Sequence, residues 1–97
     1  MITKEELLRW QTDEEFQLEQ VKEYGHSIKY IHNPSEAVCL EAVKRNGCTI
    51  QYIHNPSERV CLEALHNCKL VNLNMVIRYI DIEKYPDLYE KYCFMKV

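Results

Sequence analysis

The sequence predicts an all-α fold, a small α-solenoid of about four helix pairs built on a repeat of about 22 residues. Three observations lead to this prediction. Residues 25–43 align without a gap on residues 47–65, and 14 of the 19 aligned positions are identical. Each copy contains residues that favour a helix start, followed by apolar residues at helical spacing. A glycine opens each aligned block, at the place where the preceding helix is expected to end.

The main helix of each copy is expected to begin in the sequence Asn-Pro-Ser-Glu. Asn33 favours the N-cap position, Pro34 suits the first helical position because its missing N–H costs nothing there, and Glu36 completes a capping box. The same residue types recur 22 residues later. The sequence therefore predicts two equivalent helices, each starting at the asparagine.

Each main helix is expected to run for about twelve residues and to end at a glycine. In the first copy the end is predicted near Asn46, because Gly47 can adopt the left-handed conformation that terminates helices. Gly25 is predicted to act in the same way one unit earlier. Both glycines of the chain are thereby assigned to helix termination.

The short segments 27–31 and 49–53 each contain two isoleucines three residues apart, which favours a brief helix. Strand stays open here, since isoleucine and tyrosine also favour strands and so short a segment does not define a period. The main helix shows a clearer pattern. Its apolar positions cover slightly more than half of the helical wheel, which indicates packing on two sides: Val38, Cys39, Leu40, Ala42 and Val43. Leu40 and its equivalent Leu62 are predicted to be core residues.

Weaker copies flank the two clear ones. Thr3 with Glu6 and Thr12 with Glu15 form two upstream capping boxes. Downstream, residues 77–80 match the Ile-x-Tyr-Ile motif, although the spacing has lengthened from 22 to 27 residues. The chain is therefore predicted to be one domain, 1–97, with units at 1–24, 25–46, 47–68 and 69–97.

The last unit is predicted to contain a helix that Pro86 opens and that runs through Tyr89 and Tyr92. Apolar and aromatic side chains near the end of the chain are predicted either to close the core or to form a dimer contact: Tyr89, Tyr92, Phe94 and Met95. A homo-oligomer therefore stays open.

Composition excludes several classes of protein. The chain has 46% hydrophobic and 28% charged residues, which is ordinary for a globular domain, and no apolar run is long enough for a membrane span. Five cysteines without a C-x-x-C pair, and no signal-peptide pattern at the N-terminus, favour reduced thiols and a cytoplasmic location. A formal net charge of −3 disfavours a phosphate-binding protein.

The repeat motif is a hydrophobic-x-Tyr-Ile segment followed by Pro-Ser-x-x-Val-Cys-Leu-x-Ala-Val-Lys-x-Asn-Gly. It resembles a family of short tandem helical repeats catalogued as a domain of unknown function, which occurs in protists, large DNA viruses, phages and bacteria. The resemblance covers residues 13–68 well and the two ends loosely. It implies a helical repeat and no catalytic residue, ligand or partner. His66, Cys68 and Lys69 depart from the motif, which puts the third inter-repeat turn in doubt.

The cysteines and histidines do not predict a metal site, a catalytic residue or a cofactor. Cys39 and Cys61 occupy equivalent apolar positions, where small buried residues are expected. Zinc usually takes ligands at tighter spacing than this chain offers, and His66 with Cys68 is an incomplete set. Thiol catalysis needs a base, an orienting group and a pocket. We therefore predict a protein that is not an enzyme.

The repeated polar and aromatic positions suggest two alternatives. The tyrosines either pack over the neighbouring turn or form an aromatic ladder on one face, and the histidines are either inert loop residues or part of that face. The acidic N-terminal third, with seven acids against three bases in residues 1–23, is either a solvated face or a patch that binds a basic surface. The candidate partner-binding residues are Lys29, Tyr30, His32, Gln51, Tyr52, His54, Asp13, Glu14 and Glu19.

The function predicted is a protein–protein interaction module, and within that class a viral or phage accessory protein that binds and inhibits a host defence factor. This narrower hypothesis rests on chain size and on where the resembling family occurs. The alternatives are an RNA- or DNA-binding helical repeat that reads one base per unit and, behind it, a small thiol or metal-dependent enzyme. The few repeats and the acidic net charge count against nucleic acid.

Overall fold

The computed structural model describes residues 3–88 and 90–91, and this part of the chain contains helices and turns but no strand. Between residues 4 and 78, five α-helices and three 3₁₀ helices follow one another, and Leu88, Glu90 and Lys91 are helical as well: α1 (Lys4–Thr12), α2 (Glu14–Glu23), η1 (Gly25–Tyr30), α3 (Glu36–Arg45), η2 (Gly47–Tyr52), α4 (Glu58–Asn67), η3 (Leu70–Asn72) and α5 (Leu73–Arg78). The all-α prediction is confirmed. The short segments that sequence left open between helix and strand are the 3₁₀ helices η1 and η2.

Helices α2, α3 and α4 begin and end at intervals of 22 residues. Helix α3 packs against both α2 and α4, while η1 contacts α2 and α3, and η2 contacts α3 and α4. Helices α1 to α4 therefore pack one after another, and η1 also contacts η2. The molecule measures 45 × 24 × 19 Å, so its longest dimension is nearly twice the next one.

The helix starts differ from the predicted ones. Helix α3 begins at Glu36, and its N-cap is Ser35, whose hydroxyl accepts a hydrogen bond from the Val38 N–H. Asn33 and Pro34 lie in the loop before it, so their assignment to the N-cap and first helical position was wrong. The reason is that the serine hydroxyl is placed to accept the orphan N–H three residues on.

The same correction applies one unit earlier. Asp13, and not Thr12, caps α2 by accepting from the Phe16 N–H, while the Thr12 hydroxyl donates to the Leu8 carbonyl. Helix α1 follows its prediction, since the Thr3 side chain accepts from the Glu6 N–H. The three N-caps that precede α2, α3 and α4 are therefore 22 residues apart.

The two glycines do not have left-handed backbone, since no glycine of the described chain has positive φ. They allow close approach instead. A Cβ built on Gly47 would lie 2.2 Å from the Ala64 carbonyl oxygen, and one on Gly25 would lie 3.3 Å from the equivalent oxygen of Ala42. The helix-termination prediction for the glycines was wrong, because the preceding helices end at extended residues and the glycines pack on the next helix.

The core consists of aliphatic side chains from every unit and of the thiols of Cys39, Cys48 and Cys61. Ile28, Ile50 and Leu65 are fully buried, while Leu40 and Leu62 are only half-buried. Placing these two leucines in the core was therefore an overstatement. They lie at the edge of the apolar face of each helix, next to the face that is exposed to solvent.

The C-terminal part departs from the period. Helix α4 ends at Asn67 with Cys68 as its C-cap, exposed Lys69 follows, and η3 and α5 replace a single 3₁₀ helix. Tyr79 follows α5 and is exposed, and Ile80 is buried, as in the earlier copies of the motif. Leu88 is fully buried and covers this end of the core. The predicted terminal contacts of Tyr89, Tyr92, Phe94 and Met95 lie outside the described residues.

Candidate functional site

Two equivalent loops, residues 31–35 and 53–57, precede α3 and α4 and lie side by side along one edge of the molecule. We call this surface the loop edge. A cleft of about 240 Å³ separates the two loops. Its walls come from the two copies of the repeated motif and from the helices that follow them: His32, Asn33, Pro34, Glu36, Cys39, Tyr52, Ile53, His54, Asn55, Pro56, Ser57 and Val60.

The side chains that project from the loop edge are those that the repeat conserves between its two copies. His32 and His54 are both exposed, and the Tyr52 side chain is 38% exposed. Beneath them, Ile31 and Ile53 are buried and hold the loops to the core. The loop edge therefore presents aromatic and imidazole groups on a fixed base.

Serine–glutamate hydrogen bonds fix each loop to the helix of the preceding unit. The Ser35 hydroxyl donates to a Glu14 carboxylate oxygen at 3.0 Å, and the Ser57 hydroxyl donates to Glu36 at 2.6 Å. Each serine also accepts the capping bond at the start of its own helix. Each serine hydroxyl therefore links the start of its own helix to the helix of the preceding unit.

The first loop is also held by a side chain from α1. The Gln11 amide group donates to the Tyr30 carbonyl at 2.8 Å, and its oxygen accepts from the His32 N–H at 2.9 Å. One carboxamide thus binds the backbone groups on both sides of extended Ile31. A second, shallower cleft lies beside this contact and is lined by Gln11, His32 and Asn33.

Aromatic rings form two separate rows behind the loop edge. The Tyr30 ring packs edge-on against Trp10, with centroids 5.6 Å apart. The Tyr52 ring packs in the same way against His26 at 5.6 Å, and His26 in turn lies 5.2 Å from Tyr24. Each tyrosine therefore packs on a neighbouring ring and stays partly exposed. No described ring contact joins Tyr30 to Tyr52, so these two residues do not form a continuous aromatic ladder.

The remaining predicted residues divide between the loop edge and other surfaces. The Lys29 ammonium lies 5.1 Å from the Tyr30 ring centroid, and Gln51 is half-buried in η2. Neither lines the cleft. The structure therefore brings His32, Tyr52 and His54 together and leaves Lys29 and Gln51 beside them.

The three acidic candidates have different surroundings. Asp13 caps α2 and lies 3.7 Å from Arg9, and Glu14 accepts the bond from Ser35 at the loop edge. Glu19 is exposed on α2 and makes no hydrogen bond or ion pair with a described residue. Of the three, Glu19 alone is an exposed carboxylate without a structural contact.

The repeated cysteines are unfavourable nucleophiles. Burial raises the pKa of the Cys39 thiol from its ordinary value of 9.0 to about 11, with a further contribution from the Glu36 carboxylate. Burial raises the pKa of Cys61 to about 11 as well. Since the thiolate is the reactive form, both thiols are protonated and unreactive at neutral pH.

This gives a prediction about pH. In the folded chain Cys39 and Cys61 are expected to resist iodoacetamide at about pH 8, close to the pKa of a free cysteine, and to react fully once the chain is unfolded. Peptide mass mapping measures both. Because the folded pKa of each thiol is raised, its contribution to stability is present below about pH 9 and is lost as the pH rises towards about 11.

A matched variant separates the thiols from other groups that titrate in that range. The double variant Cys39→Ala, Cys61→Ala should lose stability less steeply between these pH values than the parent chain. Equal slopes in urea unfolding at each pH, or rapid labelling of Cys39 in the folded chain, would contradict the assignment of these thiols as buried and protonated.

Metal-binding residues do not cluster in the part of the chain described: no group of three His, Cys, Asp or Glu side chains is placed to hold a metal ion. The Cys68 thiol donates to the Leu65 carbonyl at 3.3 Å, and His66 is exposed. The absence of zinc stays a prediction.

Within 3–88 and 90–91, no helix is long and apolar enough to cross a membrane.

Sequence reasoning missed three residues of this region. Gln11 holds the first loop, Asn33 lines both clefts, and His26 links two tyrosines while its buried Nδ1 lacks a partner among the described residues. The sequence did contain a pattern that could have identified Gln11. Gln11 stands two residues before the Asp13 cap, as Asn33 stands two before Ser35, so extending the alignment upstream would have found it.

No family model, curated protein or solved structure matches this chain.

Proposed function

We propose that this chain is a non-enzymatic protein-interaction module, a short α-solenoid of about four helix pairs that binds a protein partner through the loop edge. The observation that supports it most is the cleft between two equivalent loops, with His32, Tyr52 and His54 exposed around it. Helical repeats commonly use such repeated surfaces for binding.

The nature of the exposed groups favours protein over other ligands. Tyrosine is enriched at binding hot spots because its ring gives a large rigid contact surface and its hydroxyl group can form a hydrogen bond. Glu14 and Glu36 flank the loops, and their charge opposes a phosphate backbone. A partner with a basic surface is compatible with this edge and with the acidic α2.

The narrower proposal is that the chain is a viral or phage accessory protein that acts in the host cytoplasm by blocking a host defence factor. Support for it comes from the resemblance of the repeat motif to a helical family found in large DNA viruses, phages, protists and bacteria. Blocking by occupation needs a rigid surface and no chemistry, which agrees with the buried thiols.

Site-specific photo-crosslinking in host cells tests the proposal. A benzophenone amino acid at position 54 should capture a defined protein, while the same group at position 66, exposed near the other end of α4, should not. With that protein purified, Tyr52→Ala is expected to weaken binding about 10- to 30-fold, as for a moderate hot spot. His66→Ala is the matched control.

Charge reversal at Glu19 should slow association and make it less sensitive to salt, because exposed charges mainly steer encounter. Asp13 and Glu14 are unsuitable for this purpose, since their reversal would also remove a helix cap or a loop contact.

A different result would mean that the protein is an enzyme. In that case, replacing one cysteine or histidine would abolish biological activity, while folding and partner binding would stay intact.

A further inference from the structure

The backbone of the second loop presents an unused pair of hydrogen-bonding groups. Ile53 has φ −98° and ψ 121°, and Ile31 in the first loop has φ −101° and ψ 119°. In extended backbone the carbonyl before a residue and the N–H after it point to the same side. The Tyr52 carbonyl and the His54 N–H therefore form the same pair as the Tyr30 carbonyl and the His32 N–H.

Among the described residues, the first pair has a partner and the second has none. Gln11 binds the Tyr30 carbonyl and the His32 N–H through its carboxamide. The Tyr52 carbonyl and the His54 N–H make no hydrogen bond with any described residue. The residue that corresponds to Gln11 is Asn33, which is one methylene shorter and whose amide makes no hydrogen bond to described residues.

The empty position coincides with the cleft of the loop edge. The cleft is lined by Tyr52, Ile53 and His54 of the second loop and by His32, Asn33 and Pro34 of the first loop. In the first unit, the corresponding place beside Tyr30 and His32 is filled by the Gln11 side chain. Gln11 is therefore an internal template for what the second cleft accepts.

We infer that the cleft between the two loops binds the side-chain carboxamide of a glutamine on the protein partner, through the Tyr52 carbonyl and the His54 N–H. This inference rests on the proposed function and names the chemistry of the partner. The hydrogen-bonding pair is selective. A carboxylate has no N–H for the Tyr52 carbonyl, and an ammonium or guanidinium has no acceptor for the His54 N–H.

A carboxamide carries both groups on one carbon, as Gln11 shows. A nucleobase edge also places an N–H beside a C=O, but the Glu36 carboxylate in the cleft wall opposes the phosphates that accompany it. The exposed Tyr52 ring adjoins the cleft and adds an apolar contact for the methylene groups of a glutamine side chain.

NMR of the uniformly ¹⁵N-labelled full chain tests the inference without a known partner. Propionamide, which is the end of a glutamine side chain, is expected to shift the His54 N–H resonance downfield in a saturable way. Propionate is the matched probe without a donor, and uridine represents a nucleobase. Neither should move the His54 resonance as far as propionamide.

A second measurement uses the chain itself. Asn33→Gln places at position 33 the side chain that Gln11 supplies in the first unit, so it should occupy the cleft internally, shift the His54 resonance downfield without any probe and abolish the response to propionamide. Asn33→Glu is the control, since its carboxylate lacks the donor. Hydrogen exchange at His54 should slow several-fold in Asn33→Gln only, as for one added hydrogen bond.

Either a saturable propionamide response or self-occupation in Asn33→Gln supports the inference. It is overturned if neither changes the His54 resonance, if propionate acts as strongly as propionamide, or if uridine acts more strongly than both. The photo-crosslinking experiment is independent of these results. A partner captured at position 54 with no carboxamide response leaves the proposed function standing and removes this inference. A carboxamide response with no captured partner leaves a carboxamide site in the cleft but removes the protein partner, and with it the proposed function.

Discussion

Leu65→Ala is expected to lower the free energy of unfolding by about 2–5 kcal/mol, the range found when a buried leucine is truncated to alanine. The Leu65 side chain is fully buried in α4, which packs against α3, η2 and α5. Removing it deletes apolar contacts and leaves a cavity that well-packed neighbours fill only in part. Urea unfolding followed by circular dichroism measures the loss.

Leu62→Ala is the matched control on the same helix. Leu62 is half-buried, so less apolar surface is removed and the margin of the core can relax around the missing atoms. We expect a cost of about 1–2 kcal/mol, below that of a fully buried leucine. If Leu62→Ala is as costly as Leu65→Ala, the apolar face of α4 is rotated from the arrangement described.

Gly47→Ala is the second substitution with a large expected effect. An added Cβ would lie 2.2 Å from the Ala64 carbonyl oxygen, 2.9 Å from the Cys68 nitrogen and 3.0 Å from the Cys68 Cβ. Two of these atoms are backbone, so η2 has to move away from the end of α4. We expect a loss of about 3 kcal/mol, at the upper end of the usual cost of overpacking.

Gly25→Ala provides the comparison within the same chain. Its Cβ would meet Ala42, Arg45 and Thr49 atoms, all at 3.3 Å, which small shifts relieve. The lower entropy of the unfolded alanine chain offsets part of the strain, since such replacements stabilise by about 0.4–1 kcal/mol where the conformation is compatible. The variant should therefore be close to neutral in thermal melts. If Gly25→Ala and Gly47→Ala lower the free energy of unfolding equally, the two glycines pack equally closely on the next helix, which contradicts the distances above.

Local residue chemistry was sufficient to predict the helices. The Thr3 cap, the end of α3 near Asn46 and the brief helices that follow each glycine all depend on interactions within a few residues. Such interactions recur wherever the same short sequence occurs. The all-α class and the α-helices of the two clear repeats therefore followed from the sequence, whereas η3 and α5 did not.

The choice of cap was harder because two neighbouring residues were chemically suitable. Asn33 and Ser35 both favour the N-cap, and Ser35 takes that position directly before the helix. The Ser35 hydroxyl also donates to Glu14 of the preceding unit, 21 residues away. That contact exists only once α2 and α3 are packed, so the local pattern did not contain it.

The candidate site was predictable in its residues and not in its geometry. Repetition singled out His32, Tyr52 and His54, and the structure places all three around one cleft. The role of Gln11 depends on a side chain reaching across 19 to 21 residues to the first loop. A repeat alignment alone does not show which backbone groups are left unpaired at the equivalent place in the second loop.

The sequence by itself determined the helical class and the 22-residue spacing of equivalent positions, since these depend on local conformation and on self-similarity. The tertiary structure decided why position 47 requires glycine and how each surface residue is used. Gly47 is required by the Ala64 carbonyl of the next helix rather than by its own φ angle. Contacts between successive helices arise only on packing, so they are set by distances that no single segment of the chain contains.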